Sequence, residues 1–128
     1  MRQFRVILLM AIAAICLIAE ARADILSLDC AAGPDGNVLL NVWVDLDKST
    51  ITLRYVGRAD VPIQTYPVEI NPTIFHWTII GKGTAIDSSI NRTTGVFFQT
   101  YNYSAGGSGS TGPYNCEKGA TPLPATKF

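Results

Sequence analysis

Apolar and polar residues alternate along most of this chain with a period of two. Val38, Leu40, Val42 and Val44 share one parity while Asn41, Trp43 and Asp45 share the other, and Ile51, Leu53 and Tyr55 alternate with Thr50, Thr52 and Arg54. Successive side chains of a strand point to opposite faces, so each run reads as a half-buried strand. Asp45 to Ser49 holds turn-forming residues, and the two runs read as a hairpin. Leu26, Leu28 and Cys30 make a similar run ahead of it.

The pattern continues with one interruption. Val61 and Ile63 lie on one parity and Tyr66, Val68 and Ile70 on the other, which predicts a bulge or break near Thr65, next to Pro67. Asn71-Pro72 is a turn. Phe75, Trp77 and Ile79 then alternate with His76 and Thr78 until Gly81-Lys82-Gly83, and Ile86, Ser88 and Ile90 form a weaker strand before a turn at Asn91 to Gly95. Val96 to Tyr103 is rich in the aromatic residues that sheets favour. A last short strand is expected through Tyr114 and Cys116.

After residue 23 no apolar repeat of 3.6 residues is long enough for a helix. The chain is therefore expected to be all-β, with about eight short strands separated by turns. Parallel strands would need crossover helices, so sequential hairpins favour a small antiparallel meander. Closing that meander into a barrel removes its edges, and a barrel is the expected architecture, with a sandwich as the alternative.

The N-terminus changes how the rest is read. Arg2 and Arg5 precede an apolar run from Val6 to Ala19, 14 residues long, and Ala21-Arg22-Ala23 offers small residues where a signal peptidase reads. A bilayer-crossing helix needs roughly 20 residues. Residues 1–23 are therefore expected to be a signal peptide, 24–118 a β-barrel domain, and 119–128, which contain Pro122 and Pro124, a flexible C-terminal tail. The expected location is the periplasm or the medium, with no membrane span left after cleavage.

Removing the leader leaves seven basic and nine acidic side chains, a net charge of −2. No cluster of Lys or Arg offers an electrostatic footprint for nucleic acid, so none is expected as a partner. Cys16 leaves with the signal. Cys30 and Cys116 remain, and two thiols in an exported chain have a single intramolecular pairing, a disulfide between the first and last strands. That bridge would set the two ends of the meander side by side.

Candidate chemistry is sparse. The segment from Tyr101 to Tyr114 mixes tyrosine with Ser, Gly and Asn, the mixture that binding loops use for contact area and adaptable hydrogen bonding. Tyr101, Tyr103, Ser108 and Tyr114 are the candidate ligand-binding residues, on a loop of about ten residues. His76 is the sole histidine and has opposite parity to Phe75 and Trp77, which directs it to the polar side. It has no Gly-x-Ser-x-Gly elbow beside it. Asp45 and Asp47 sit in a turn without the glycine and glutamate of a calcium loop, and Asp29, Asp45, Glu69 and Asp87 show no spacing that selects an acid-base pair. No catalytic residue, metal site or cofactor is assigned, and the chain is expected not to be an enzyme. Asn91-Arg92-Thr93 and Asn102-Tyr103-Ser104 match a glycan acceptor pattern that matters only in a eukaryotic secretory pathway.

The short signal, Leu28-Asp29-Cys30, the hairpin Val-Asp-Leu-Asp-Lys-Ser-Thr-Ile-Thr at 44–52, Ile90-Asn-Arg-Thr-Thr-Gly95 and the closing Tyr114-Asn-Cys116 together resemble small exported proteins of Gram-negative bacteria. In general design the chain is also similar to the periplasmic inhibitors of C-type lysozyme, which are small disulfide-closed β-barrels. Those inhibitors use a Ser-Gly-x-x-Tyr type loop. Gly57 to Tyr66 lacks it and Ser108-Gly109 matches only loosely, so the resemblance implies a fold and transfers no inhibitory residue.

These readings converge on an exported β-barrel that binds a protein or glycan of the cell envelope. The alternatives are a structural envelope component and an inhibitor of a wall-degrading enzyme such as lysozyme. Mass spectrometry of the secreted protein is expected to find Asp24 at the N-terminus, and any residue before it would overturn the processing site.

Overall fold

The computed structural model describes residues 24–33 and 36–124. The expected signal peptide, residues 1–23, and the last four residues of the expected tail lie outside them. Among the described residues there is no helix, and so none long and apolar enough to cross a membrane.

Nine strands form one antiparallel sheet. They are β1 (Ile25–Ala32), β2 (Val38–Asp45), β3 (Thr50–Tyr55), β4 (Gln64–Pro67), β5 (Glu69–Ile70), β6 (Ile74–Gly81), β7 (Thr84–Asn91), β8 (Val96–Tyr103) and β9 (Ser108–Lys118). The spatial order is β4-β3-β2-β1-β9-β8-β7-β6-β5. The first and last strands pair in the middle of this order, and the two halves of the chain run outward from them as meanders.

Cys30 and Cys116 stand directly opposite each other in the β1–β9 ladder and are disulfide-bonded, their Cα atoms 4.0 Å apart. The bridge expected from the cysteine count is present and joins the first and last strands. The remaining opening lies elsewhere, between the outer strands β4 and β5. These are separated by Val68 alone, so the sheet curls until its two margins are consecutive residues of one chain. The result is a nearly closed barrel with one seam.

The count of nine against an expected eight comes from this seam. Gln64, Tyr66, Val68 and Ile70 keep one parity throughout, so 64–70 behaves as one strand that changes neighbours. Gln64 to Pro67 pair with β3, and Glu69 and Ile70 pair with β6. The break expected near Thr65 falls at Val68, whose N–H donates to Ser49 O at 3.0 Å. Backbone groups alternate sides along an antiparallel strand. Pro67, which has no N–H, therefore turns that position toward the seam, where a donor would lack a partner.

Inward parity builds the core: Leu28, Cys30, Leu40, Val42, Val44, Ile51, Leu53, Val68, Phe75, Trp77, Ile90 and Phe97 are all buried. The predicted turns form for local reasons. Asp45 Oδ1 accepts the N–H groups of Asp47 and Lys48, and Asn91 Oδ1 accepts those of Thr93 and Thr94. Gly95 follows at φ 74° with its carbonyl accepting the Cys116 N–H at 2.8 Å. A Cβ there would lie 2.3 Å from Cys116 O.

Trp43 has outward parity, yet it is buried. The chain after β9 explains this: Thr121 O accepts hydrogen bonds from both Trp43 Nε1 and Ser27 Oγ at 2.9 Å, laying residues 119–121 across the outer face of β1 and β2. Arg54 stacks on the indole from the next strand. Gly119 and Thr121, at the start of the expected tail, are thus hydrogen-bonded to the barrel.

Replacing Cys30 and Cys116 together with serine is expected to lower unfolding free energy by up to about 4 to 5 kcal/mol, the chain-entropy value for a loop of this length. Gly95→Ala is expected to cost on the order of 1 to 3 kcal/mol from the backbone conformation alone, with the collision against Cys116 O adding to it. Denaturant titration of each variant checks both.

Candidate functional site

The strands differ in how far they extend, and this creates the open end of the barrel. β9 pairs with β1 over five residues, from Leu28↔Lys118 to Ala32↔Tyr114. Its earlier part, Ser108 to Thr111, pairs with β8 alone. The ribbon of β6 to β9 therefore overhangs the ends of β1, β2 and β3.

A polar rung crosses the inner wall of that ribbon. Trp77 is opposite Ser88, Ser88 opposite Gln99, and Gln99 opposite Thr111. Gln99 Nε2 donates to Ser88 Oγ at 3.0 Å in a buried setting, and the hydroxyls of Tyr101 and Thr111 donate to Gln99 Oε1 at 3.3 Å. Trp77 Nε1–H, on an indole only 2% exposed, finds no acceptor among the described residues. A buried donor without a partner costs about 1 to 3 kcal/mol, so this rung is one bond short.

Below the overhang lies a cavity of about 360 Å³ lined by Leu40, Tyr55, Phe97, Gln99, Tyr114 and Arg58 among others. Phe97 backs it from a buried position: its ring stacks 5.5 Å from Trp77 on one side and tilts against Tyr114 at the same distance on the other. Tyr55 closes the wall from the last position of β3. Burial, and next the nearby Tyr101, Tyr66 and Tyr114, push its hydroxyl above the usual tyrosine range. Burial does the same to Tyr66, whose hydroxyl donates to Gln64 Oε1. These phenols stay protonated and serve as neutral donors. Arg58, the charged member of this lining, is ion-paired with Asp60 at 2.9 Å, and its hydrogen bonds hold that carboxyl below its usual range.

The segment expected to be a loop is mostly strand. Tyr101 and Tyr103 belong to β8, Ser108 and Tyr114 to β9, and the connecting turn is Ser104 to Gly107. A Gly/Ser-rich sequence carries no apolar parity, so its pairing is not visible as alternation. Tyr101 opposes Gly109, and Tyr114 opposes Phe97 and lines the cavity. Tyr103, 47% exposed, opposes Thr84 near the tip of the ribbon, and Ser108 is exposed beside Asn102. Tyr101 and Tyr114 thus gather near Tyr55, whereas Tyr103 and Ser108 lie further along. Tyr55, Phe97 and Gln99 were missed because alternation marks them as core and reveals nothing of a cavity.

His76 lies on the outer face, as its parity implied. Glu69 Oε2 is 3.0 Å from Nδ1 and Asp87 Oδ1 is 3.4 Å from Nε2, so carboxylates occupy both ring nitrogens. Asp87 Oδ1 also accepts the Thr78 hydroxyl at 2.8 Å. A histidine acting as base for a nucleophile needs one nitrogen available to it; here both face acids on a convex surface. Among the described residues no three His, Cys, Asp or Glu side chains are placed to hold a metal ion.

Of the larger recesses that flank the barrel, two are the most extensive. One of about 720 Å³ lies on the outer face beside Asp29, Asn41 and Arg54, and shares Tyr55, Val56 and Arg58 with the mouth cavity. There Asn41 donates to Asp29 at 2.8 Å and accepts from Arg54 at 2.6 Å, which links the two charges through one amide. The other, about 760 Å³, sits at the opposite end around the Asn91 to Gly95 turn. Arg92 covers Phe75 there and donates to Asn71 O at 2.7 Å, so the guanidinium caps that end. The smaller mouth cavity unites aromatic walls with a polar rung.

Comparison with known proteins gives no match: no family model matches the chain, and neither a curated protein nor a solved structure does.

The tyrosine cluster has a measurable consequence. Unfolded tyrosines titrate near about pH 10, and the folded state retains the Tyr55 proton to higher pH. Stability is therefore full below about pH 10 and falls as pH rises through the elevated folded value. Denaturant midpoints taken across the alkaline range, with phenolate absorbance followed in parallel, are expected to show this loss and to show it reduced in Tyr55→Phe.

Proposed function

We propose that this chain is an exported, non-enzymatic β-barrel that binds a component of the cell envelope at the mouth beneath its overhanging ribbon. The observation that carries the reading is the cavity beside Tyr55, Phe97 and Tyr114, backed by the polar rung at Gln99. Its size and mixed lining match those of ligand sites, which are concave and largely apolar with a few oriented polar groups. The Cys30–Cys116 bridge supports an oxidising compartment, the periplasm or the medium.

The unpaired edges of the ribbon favour a second reading, a structural component that assembles by strand addition. Only β7 pairs with Trp77 to Gly81, and only β8 pairs with Ser108 to Thr111. Ile80 and Phe98 are exposed on the ribbon's outer face but stand apart in register, so they form no joint patch. Inhibition of a wall-degrading enzyme is a special case of the first reading and rests on likeness of design.

Cross-linking of the tagged mature protein in its native envelope distinguishes these. The binding reading expects a partner or wall fragment enriched by the unaltered protein and reduced at least about tenfold, roughly 1.4 kcal/mol, by Tyr101→Ser with Tyr114→Ser, given a retained thermal melt. Equal capture by the folded variant, or capture of the chain's own copies alone, would replace it with the structural reading.

A further inference from the structure

Resting on that reading of the mouth, we infer that its ligand is a neutral sugar residue entering the cavity from the end of a glycan. The argument begins with charge. Arg58 is the charged residue of the lining and Asp60 already neutralises it, so an ionic ligand would meet no unmatched partner there. Next comes the balance of surfaces. Tyr55 and Tyr114 present aromatic walls backed by the buried Phe97, while Gln99 presents an amide anchored to Ser88.

A wholly apolar ligand, such as an acyl chain, would leave the Tyr55 and Tyr114 hydroxyls of the lining facing hydrocarbon, where unpaired polar groups are costly. A pyranose supplies both requirements: a face of C–H groups for the aromatic rings and a rim of neutral hydroxyls for the amide and the phenols. The Tyr55 hydroxyl remains a donor across the physiological range.

The test uses the mature chain titrated with chitotriose, cellotriose and maltotriose, read by calorimetry and saturation-transfer NMR. The expected result is saturable binding of at least one trisaccharide, strongest transfer to its terminal ring, and an affinity indifferent to added salt. Tyr114→Ala and Tyr55→Ala are each expected to weaken it at least about tenfold, and Ile80→Ser, on the opposite face of the ribbon, to leave it unchanged. Amide shifts induced in the unaltered chain are expected to centre on Phe97, Gln99 and Tyr114, which decides the matter if either tyrosine variant fails to fold.

No binding by any of the three sugars, or shifts centred elsewhere, would overturn the inference. A Tyr114-dependent envelope protein captured without sugar binding would overturn it too, while leaving the proposed binding function standing.

Discussion

Because β1 and β9 meet over only five residues around the Cys30–Cys116 bridge, strands β6 to β9 are staggered past the ends of β1 to β3 and leave one end of the barrel open. The stagger of this pairing positions everything that follows. It sets Tyr114 beside Ala32 at the last shared rung, leaves Gln99 and Thr111 on the overhang, and brings Tyr55 from β3 to face them. A disulfide directly across such a pair holds the register, since a slip by one residue would turn every inward side chain of β9 to the outside.

The interior is a compromise between packing and polarity. Twelve inward residues from Leu28 to Phe97 make a conventional apolar core, yet the same wall buries Ser88 and Gln99, which are satisfied by each other and by Tyr101 and Thr111. Buried polar groups of this kind contribute little net stability but specify geometry when their bonds are complete. Here the set ends at Trp77 with a donor left over, at the point where the core gives way to the mouth.

Much of the fold was legible in the sequence because burial on one face imposes alternation. The strands around the turns at Asp45 to Ser49 and Asn91 to Gly95 and the all-β class followed from it, while the pairing of Cys30 with Cys116 followed from the cysteine count. What alternation does not encode is stagger, and the mouth is a product of stagger, so Tyr55 and Gln99 read as core residues. The ribbon from Tyr101 to Tyr114 escaped because Ser and Gly mark neither face. Trp43 was a readable sign passed over: a large apolar side chain on the polar parity indicates that the outer face is covered, and the segment around Thr121 covers it. The bracketing of His76 by Glu69 and Asp87 required the seam, where residues from three strands meet in an order that only the closed sheet creates.

The seam gives the molecule a mechanical character of its own. Val68 is the one backbone step between a half made of β1 to β4 and a half made of β5 to β9, and across the barrel the halves are joined along the β1–β9 ladder and its disulfide. Were a protease to nick the backbone there, the two fragments would remain one particle, tied by the sulfur bridge at the far side of the wall.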